Sequence, residues 1–311
     1  MTARSSQMKS IALVCAGTVF SLGALTVAPN ASEPVQTVLA AQMQDACDRM
    51  AGSPYDQNRN PAFSPVGIGE IDPQAVTACA MAFQATSNPR YAFQLGRALN
   101  KTEQADEAMT AYETAVNADY PAAKVNLGML LGRLGDTAAE FRMYSQAANT
   151  GNVLAAYNLG VAYRDGLGTT QDAGQALKWF EIAAAGGDDT AAFNIGAIYD
   201  EGEIVPEDNQ MAIAWYDIAA KRGNKDAMIN LGLMYEAGEG IKANPMMAAG
   251  LYAQAAAAGD TFGALKLHEL EAKGFNPAPE PAPEVSSLPN GLDMLVLEPG
   301  DVEQPKTLRA I

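Results

Sequence analysis

A Leu-Gly pair returns through the middle of the chain at a nearly fixed interval: Leu95-Gly96, Leu127-Gly128, Leu159-Gly160, Ile195-Gly196 and Leu231-Gly232. The glycines stand 32, 32, 36 and 36 residues apart. Periods in this range belong to supersecondary units that stack on copies of themselves, so the length of 311 residues does not set a domain count here. A second register follows the first. Tyr112, Tyr144, Phe180, Tyr216 and Tyr252 each have an alanine three places on, at Ala115, Ala147, Ala183, Ala219 and Ala255. Spacings of three and four residues share one helical face.

The last four copies close on Gly151, Gly187, Gly223 and Gly259, where a helix takes a left-handed stop. The sequence therefore predicts an all-α chain of two-helix units, neither helix of which can hide its apolar stripe alone. A glycine inside a helix costs ~1 kcal/mol relative to alanine, so its recurrence points to close helix approach. Tyr163, Tyr199 and Tyr235, three residues beyond the glycine, are expected to fill the gap.

The segments "AAYNLGVAYRDGLG" with "ALKWFEIAAAGG", and "AAFNIGAIYDEGE" with "AIAWYDIAAKRG", resemble the Sel-1-like repeat family of the tetratricopeptide-like superfamily. The match lies in Ala, Leu-Gly, Tyr, a Gly-x-Gly turn, Ala-x-x-Trp-Tyr and a closing Gly. A third copy, "AMINLGLMYEAGEG" with "AAGLYAQAAAAG", departs from the pattern at Gly250 and Leu251. Residues 88–151 keep the shorter period and lack the Gly-x-Gly turn, and they resemble two plain tetratricopeptide units. Residues 152–259 resemble three Sel-1-like units. The resemblance covers roughly residues 88–274; it implies a right-handed α-solenoid of helix-turn-helix repeats whose concave groove holds other proteins, as in relatives that restrain a periplasmic sensor. One group of relatives, rich in regularly paired cysteines, is linked to β-lactam binding; those repeated pairs are missing here, and that activity is not carried over.

The flanks read differently. Residues 1–31 have Arg4 and Lys9 ahead of an apolar run from Ile11 to Val27 and small residues around Ala28 and Ala31, the pattern of a secretory signal peptide. A retained membrane anchor is the alternative, since the run is about long enough to span a bilayer. Loss of this segment removes two cations and no acid, so the net charge of −16 becomes −18. So acidic a chain disfavours nucleic acid and anionic membrane surfaces as partners.

Cys47 and Cys79 then remain, and in an exported protein an even pair reads first as a disulfide, with two buried thiols as the alternative. Residues 32–87 read as an N-terminal cap, a short helix and a longer one around a Pro-rich loop, which the disulfide could staple to the first repeat. Residues 260–274, with His268 in the place of the repeat glycine, read as a C-terminal capping helix. The Pro-rich acidic residues 275–311 read as a disordered tail; "LDMLVLEP" within it is an apolar cluster.

By the resemblance, the residue before each Leu-Gly faces the groove. These are Gln94, Asn126, Asn158, Asn194 and Asn230, amides suited to gripping an extended backbone. Bridging between neighbouring helices is the competing role. One place earlier stand Phe93, Val125, Tyr157, Phe193 and Ile229, assigned to the core. Arg90, Arg97, Lys101, Lys124 and Arg133 gather early, while Asp200, Glu201, Glu203, Glu207, Asp208, Glu236 and Glu239 crowd the later turns. Facing one groove, these clusters would orient a partner by polarity.

Catalysis finds little support. His268 is the chain's one histidine, no nucleophile elbow or phosphate loop is written, and "DEGEIVPED" lacks the ligand spacing of a calcium loop. No cofactor or metal is expected. The reading is a non-enzymatic, periplasmic or secreted scaffold or adaptor, with a regulatory role as a sub-case implied by the resemblance, for a protein or peptide of the cell envelope, without strong membrane association once the signal is removed. The alternative is a peptidoglycan-related enzyme or ligand-binding protein using Asp48, Asp56, Arg59 and Glu70 of the cap.

Overall fold

The computed structural model describes residues 33–277; the signal segment and the "LDMLVLEP" cluster lie outside the described residues. Thirteen α-helices and one short 3-10 turn make up the described fold. The cap holds α1 (Glu33–Ala51) and α2 (Ala75–Thr86). Five helix pairs follow: α3 (Pro89–Lys101) with α4 (Ala105–Asn117), α5 (Pro121–Arg133) with α6 (Thr137–Ala148), α7 (Val153–Asp165) with α8 (Ala173–Ala185), α9 (Asp189–Glu201) with α10 (Asn209–Lys221), and α11 (Lys225–Ala237) with α12 (Pro245–Ala257). A single helix, α13 (Thr261–Ala272), ends the stack. Each helix packs chiefly on the one before and the one after it, which makes the chain an α-solenoid.

Local chemistry sets the ends of these helices. Asp136, Asn152, Asp172, Asp188, Asp208, Asn224, Asn244 and Asp260 each accept a hydrogen bond from a backbone N–H of the first turn, caps of the kind that contribute about 1 kcal/mol apiece. The second helices stop at Gly151, Gly187, Gly223 and Gly259, with φ of 82°, 96°, 98° and 86°, conformations that cost a side-chain-bearing residue. The two repeat lengths are explained by the turn inside each pair. Residues 102–104 and 134–136 form three-residue turns, whereas 166–172, 202–208 and 238–244 form seven-residue ones, and the difference of four is the difference between 32 and 36.

The longer turns close in the same way each time. Asp172, Asp208 and Asn244 donate their N–H to the carbonyls of Tyr163, Tyr199 and Tyr235, at 2.9, 2.9 and 2.7 Å. Two of them also reach back to the preceding unit. A Cβ on Gly168 would sit 2.1 Å from the Thr137 carbonyl oxygen, and one on Gly240 2.5 Å from Asn209.

The repeat glycines have a different partner from the one the sequence suggests. A Cβ on Gly96, Gly128, Gly160, Gly196 or Gly232 would lie 2.5–2.8 Å from the ring of Tyr112, Tyr144, Phe180, Tyr216 or Tyr252 respectively. The ring of the second helix thus rests on the bare backbone of the first. Tyr163, expected in that gap, instead meets Phe141 of the preceding unit edge-on at 5.3 Å. Alanines surround the rings, and the buried side chains run continuously from Val125 to Leu270, with a second cluster from Ala92 to Leu130. On α13, Phe262 and Leu265 are exposed. His268 is exposed too, since no further helix follows among the described residues to set a ring on its position.

The cap departs from expectation in two ways. Its first helix is the longer one, 19 residues against 12. The Cys47–Cys79 disulfide forms, with Cα atoms 4.8 Å apart, but it joins α1 to α2 within the cap. The attachment to the first repeat is both apolar, with Tyr91 and Ala98 of α3 buried in the core of the cap, and polar. Asp48, 2% exposed, accepts from Arg90 Nη2 at 2.9 Å, Gln94 Nε2 at 3.0 Å and Asn60 Nδ2 at 2.9 Å. Arg97, equally buried, donates to the carbonyls of Ala51 and Val66. Asp56 accepts from the Tyr120 hydroxyl at 2.6 Å. Removing one partner of such a buried pair costs several kcal/mol, because the other charge is left without compensation.

These contacts predict three responses. Gly196→Ala improves helix propensity yet drives a methyl into Tyr216, so it should destabilise by about 1–3 kcal/mol; an unchanged or higher melting temperature would refute the interlock. Cys47→Ser with Cys79→Ser should remove about 2–4 kcal/mol and raise hydrogen exchange in α1 and α2, while α9–α12 keep their protection. Burial holds the Asp56 carboxyl above its ordinary range, against the opposing bond from Tyr120. The native state therefore keeps this proton more tightly than the unfolded chain. Its stabilising effect is full below the ordinary carboxylate range and fades as pH rises through the raised value. Asp56→Asn should then gain stability relative to the parent between acid and neutral pH, and a melting-temperature difference that is flat with pH would exclude this linkage.

Candidate functional site

Between the first helices α7, α9 and α11 the stack leaves a cavity of about 440 Å³. Its floor comes from α9, whose Phe193, Asn194, Ala197 and Ile198 face it. Arg164 and Asp165 of α7, Tyr216 of α10 and Asn230 of α11 close the sides, and Asp200, Glu201 and Glu203 stand at the end where α9 gives way to its turn. The helices are held in this register by the ring-on-glycine packing at Gly160, Gly196 and Gly232.

A chain of hydrogen bonds fixes the polar groups. Arg164 forks onto Asp165 through Nε and Nη2, at 2.7 and 2.9 Å, and its Nη1 donates to Asn194 Oδ1 at 2.6 Å. The carboxylate of Asp165 is the main cause that keeps this guanidinium above its ordinary pKa. Asn194 Nδ2 donates to the Thr190 carbonyl at 2.8 Å, and Gln171 Nε2 to the Arg164 carbonyl at 2.7 Å. Asn230 Nδ2 donates to Tyr216 Oη at 3.1 Å, and that hydroxyl donates to Asp200 Oδ2 at 3.0 Å. Burial pushes the Tyr216 phenol up, so it stays a donor.

The five amides of the sequence reading fare unequally. Asn194 and Asn230 border the cavity. Asn194 also links α9 to Arg164 of α7, the bridging role weighed against groove contact. Asn126 turns its Nδ2 onto the carbonyl of Ala122 on its own helix, at 3.2 Å, and the Asn158 Nδ2 is buried with no acceptor among the described residues. Gln94 does not face a groove at all: it is fully buried beneath the cap, because α1 covers α3 on that side. Arg90 and Arg97 are likewise held by the cap, so these two form no open basic end to the groove. Of the apolar row, Phe93 and Val125 are core as expected, while Phe193 is half-buried and lines the cavity.

Sequence reasoning passed over Arg164 and Tyr216. A signal was there: Arg164 occupies the position taken by Asp200 and Glu236 in the next two units, and its unit has Phe180 where theirs have Tyr216 and Tyr252. The tyrosines bond those acids, each at 3.0 Å; a phenylalanine cannot, and the acid is replaced.

The cap carboxylates have structural partners. Asp48 and Asp56 are engaged as described, Arg59 donates to the Phe63 carbonyl at 2.6 Å, and Glu70 accepts from the Gly67 N–H at 2.9 Å. The cleft beside Asp56 is about 100 Å³. In "DEGEIVPED", Asp200 is bonded to Tyr216 and Asp208 caps α10. Among the described residues no group of three or more His, Cys, Asp or Glu is arranged to hold a metal ion, and no helix is long and apolar enough to cross a membrane.

The family model of the Sel1 repeat matches residues 153–188, 190–224 and 225–260. No curated protein matches the chain. Among solved structures, a Sel1 repeat protein from Oxalobacter formigenes is 29% identical, with a TM-score of 0.52 over 60% of this chain and 77% of that one. The protein c5321, a protective antigen present in uropathogenic Escherichia coli strains displaying an SLR fold, is 24% identical, with a TM-score of 0.60 over 81% of this chain and 54% of that one. The present chain thus spans about half the length of the latter, and that likeness bears on the fold alone. Sel1 repeat proteins are generally protein-interaction scaffolds. The cavity between α7, α9 and α11 therefore lies in a tandem array of three Sel1 repeats, residues 153–260, and the chain is similar in fold to solved Sel1-repeat proteins.

Proposed function

We propose that the chain is a non-catalytic scaffold or adaptor of the cell envelope, periplasmic or secreted, that holds a segment of a partner protein along the face of its first helices. The observation that carries this reading is a contrast between two polar clusters. Asp48 and Asp56 of the cap are engaged in buried bonds that fasten α1 and the following loop to α3 and to Tyr120 at the start of α5, whereas the face of α7, α9 and α11 keeps a 440 Å³ cavity with carboxylates at its rim. A site for catalysis needs an acid and a base placed together, and the cap cleft of about 100 Å³ is lined by a single carboxylate, that of Asp56.

The domain plan follows from the same reading: a signal at 1–31, a cap at 32–87 that shields the first repeat, and an array from residue 88 to the capping helix at 260–274. The disulfide between Cys47 and Cys79 supports an oxidising compartment. Regulation would be one form of such holding, a partner restrained until it is released.

The test is crosslinking in intact cells. A photo-reactive residue at Asn158, Ala197 or Leu233 on the first helices should trap one defined partner, and the same probe at Lys178 on α8 should not. Capture from Lys178 alone would move the interface to the other side of the solenoid.

A further inference from the structure

We propose that this face takes a basic segment: an extended stretch of partner chain that places an arginine or lysine side chain in the cavity beside α9, against Asp200, Glu201 and Glu203. The proposal rests on the docking reading above and adds the chemistry of the partner. It comes from what the cavity has left to offer. Each side-chain nitrogen that lines it already has one acceptor: those of Arg164 bond Asp165 and Asn194, Gln171 and Asn194 donate to carbonyls, Asn230 donates to Tyr216, and the Tyr216 hydroxyl donates to Asp200. The groups with no bond at all are acceptors. Glu201 and Glu203 are exposed and form no hydrogen bond or ion pair among the described residues, and the side-chain oxygen of Asn230 and the second oxygen of Asp200 accept none there either.

Formal charge points the same way. Asp165, Asp200, Glu201 and Glu203 line the cavity with Arg164 as their only cation, a net of −3 on a chain already at −16. An acidic segment would meet like charge, and a neutral one would leave the carboxylates facing each other. A guanidinium matches carboxylate geometry with a fork of N–H donors, and the half-buried ring of Phe193 supplies an aromatic wall on which its plane can rest. A further apolar row three residues beyond the amides, from half-buried Val161 and Ala197 to exposed Leu233, gives the flanking residues of the segment a surface to cover. The chain's own residues 278–311 are the wrong occupant: they hold six acids and only Lys306 and Arg309 as cations.

Fluorescence anisotropy of the full chain tests this with three labelled peptides, alternating Arg-Ser, Glu-Ser and Gln-Ser. The Arg-Ser peptide should bind, with affinity falling as salt rises, and the other two should not. Glu201→Lys with Glu203→Lys should weaken binding at least about tenfold. Glu107→Lys with Glu113→Lys, exposed on α4 and making the same change in total charge, should leave it near the parent value. Circular dichroism checks that both variants fold; cations at the end of α9 suit its dipole. Equal weakening in both variants would reduce the effect to overall charge and overturn the site. Binding of Gln-Ser as tight as Arg-Ser, crosslinked from Leu233, would keep the docking face and overturn its basic partner. No binding by any peptide would overturn this inference and leave the scaffold reading to the crosslinking in cells.

Discussion

Five rings lying on five glycines set the distance between the helices of every pair, and the rest of the molecule is arranged around that distance. Each glycine gives up ~1 kcal/mol of helix propensity. Each buried ring returns about 1.5–3 kcal/mol in apolar burial, so the packing term wins. The hydroxyls of the same rings then organise the polar face. Tyr216 reaches Asp200 and Tyr252 reaches Glu236, while Phe180 reaches nothing polar and leaves its unit free to carry Arg164. Packing and surface chemistry are coupled through single residues.

Much of this was legible from periodicity. The glycine register, the aromatic register and the left-handed stops are visible because each is written four or five times. The partner of the glycine was not, since two aromatic rows suit a helical spacing beside it. The deciding fact is the offset from glycine to ring, 16 residues in the first two units and 20 in the last three, which places the ring correctly only once the turn between the helices is known to differ by four. In the candidate site, Asn194 and Asn230 were legible from the repeat, and so were the acids Asp200, Glu201 and Glu203. The burial of Gln94 was not. It depends on α1, a segment with no counterpart in the repeat, folding back over α3 and drawing Arg90, Gln94 and Arg97 into its own bonds.

The cap also changes the meaning of the early charges. A run of arginines reads as a basic surface until buried acceptors are found for it. Asp48 and the carbonyls of Ala51 and Val66 turn two of those arginines into fasteners, and of the early cations only Lys101, Lys124 and Arg133 stay outside the bonds of the cap.

The seven-residue turns have a mechanical meaning as well. At Gly168 and Gly240 they lie against the backbone of the unit before, so a unit that peels away must also release a grip on its predecessor. In the half of the array with three-residue turns, Gly135 of the second unit has nothing within 4 Å to meet in this way. In a linear stack, where stability is shared between neighbours, that half of the array would be the first to fray under load, and the polar fastening of α1 sits at the end where the shared grip is weakest.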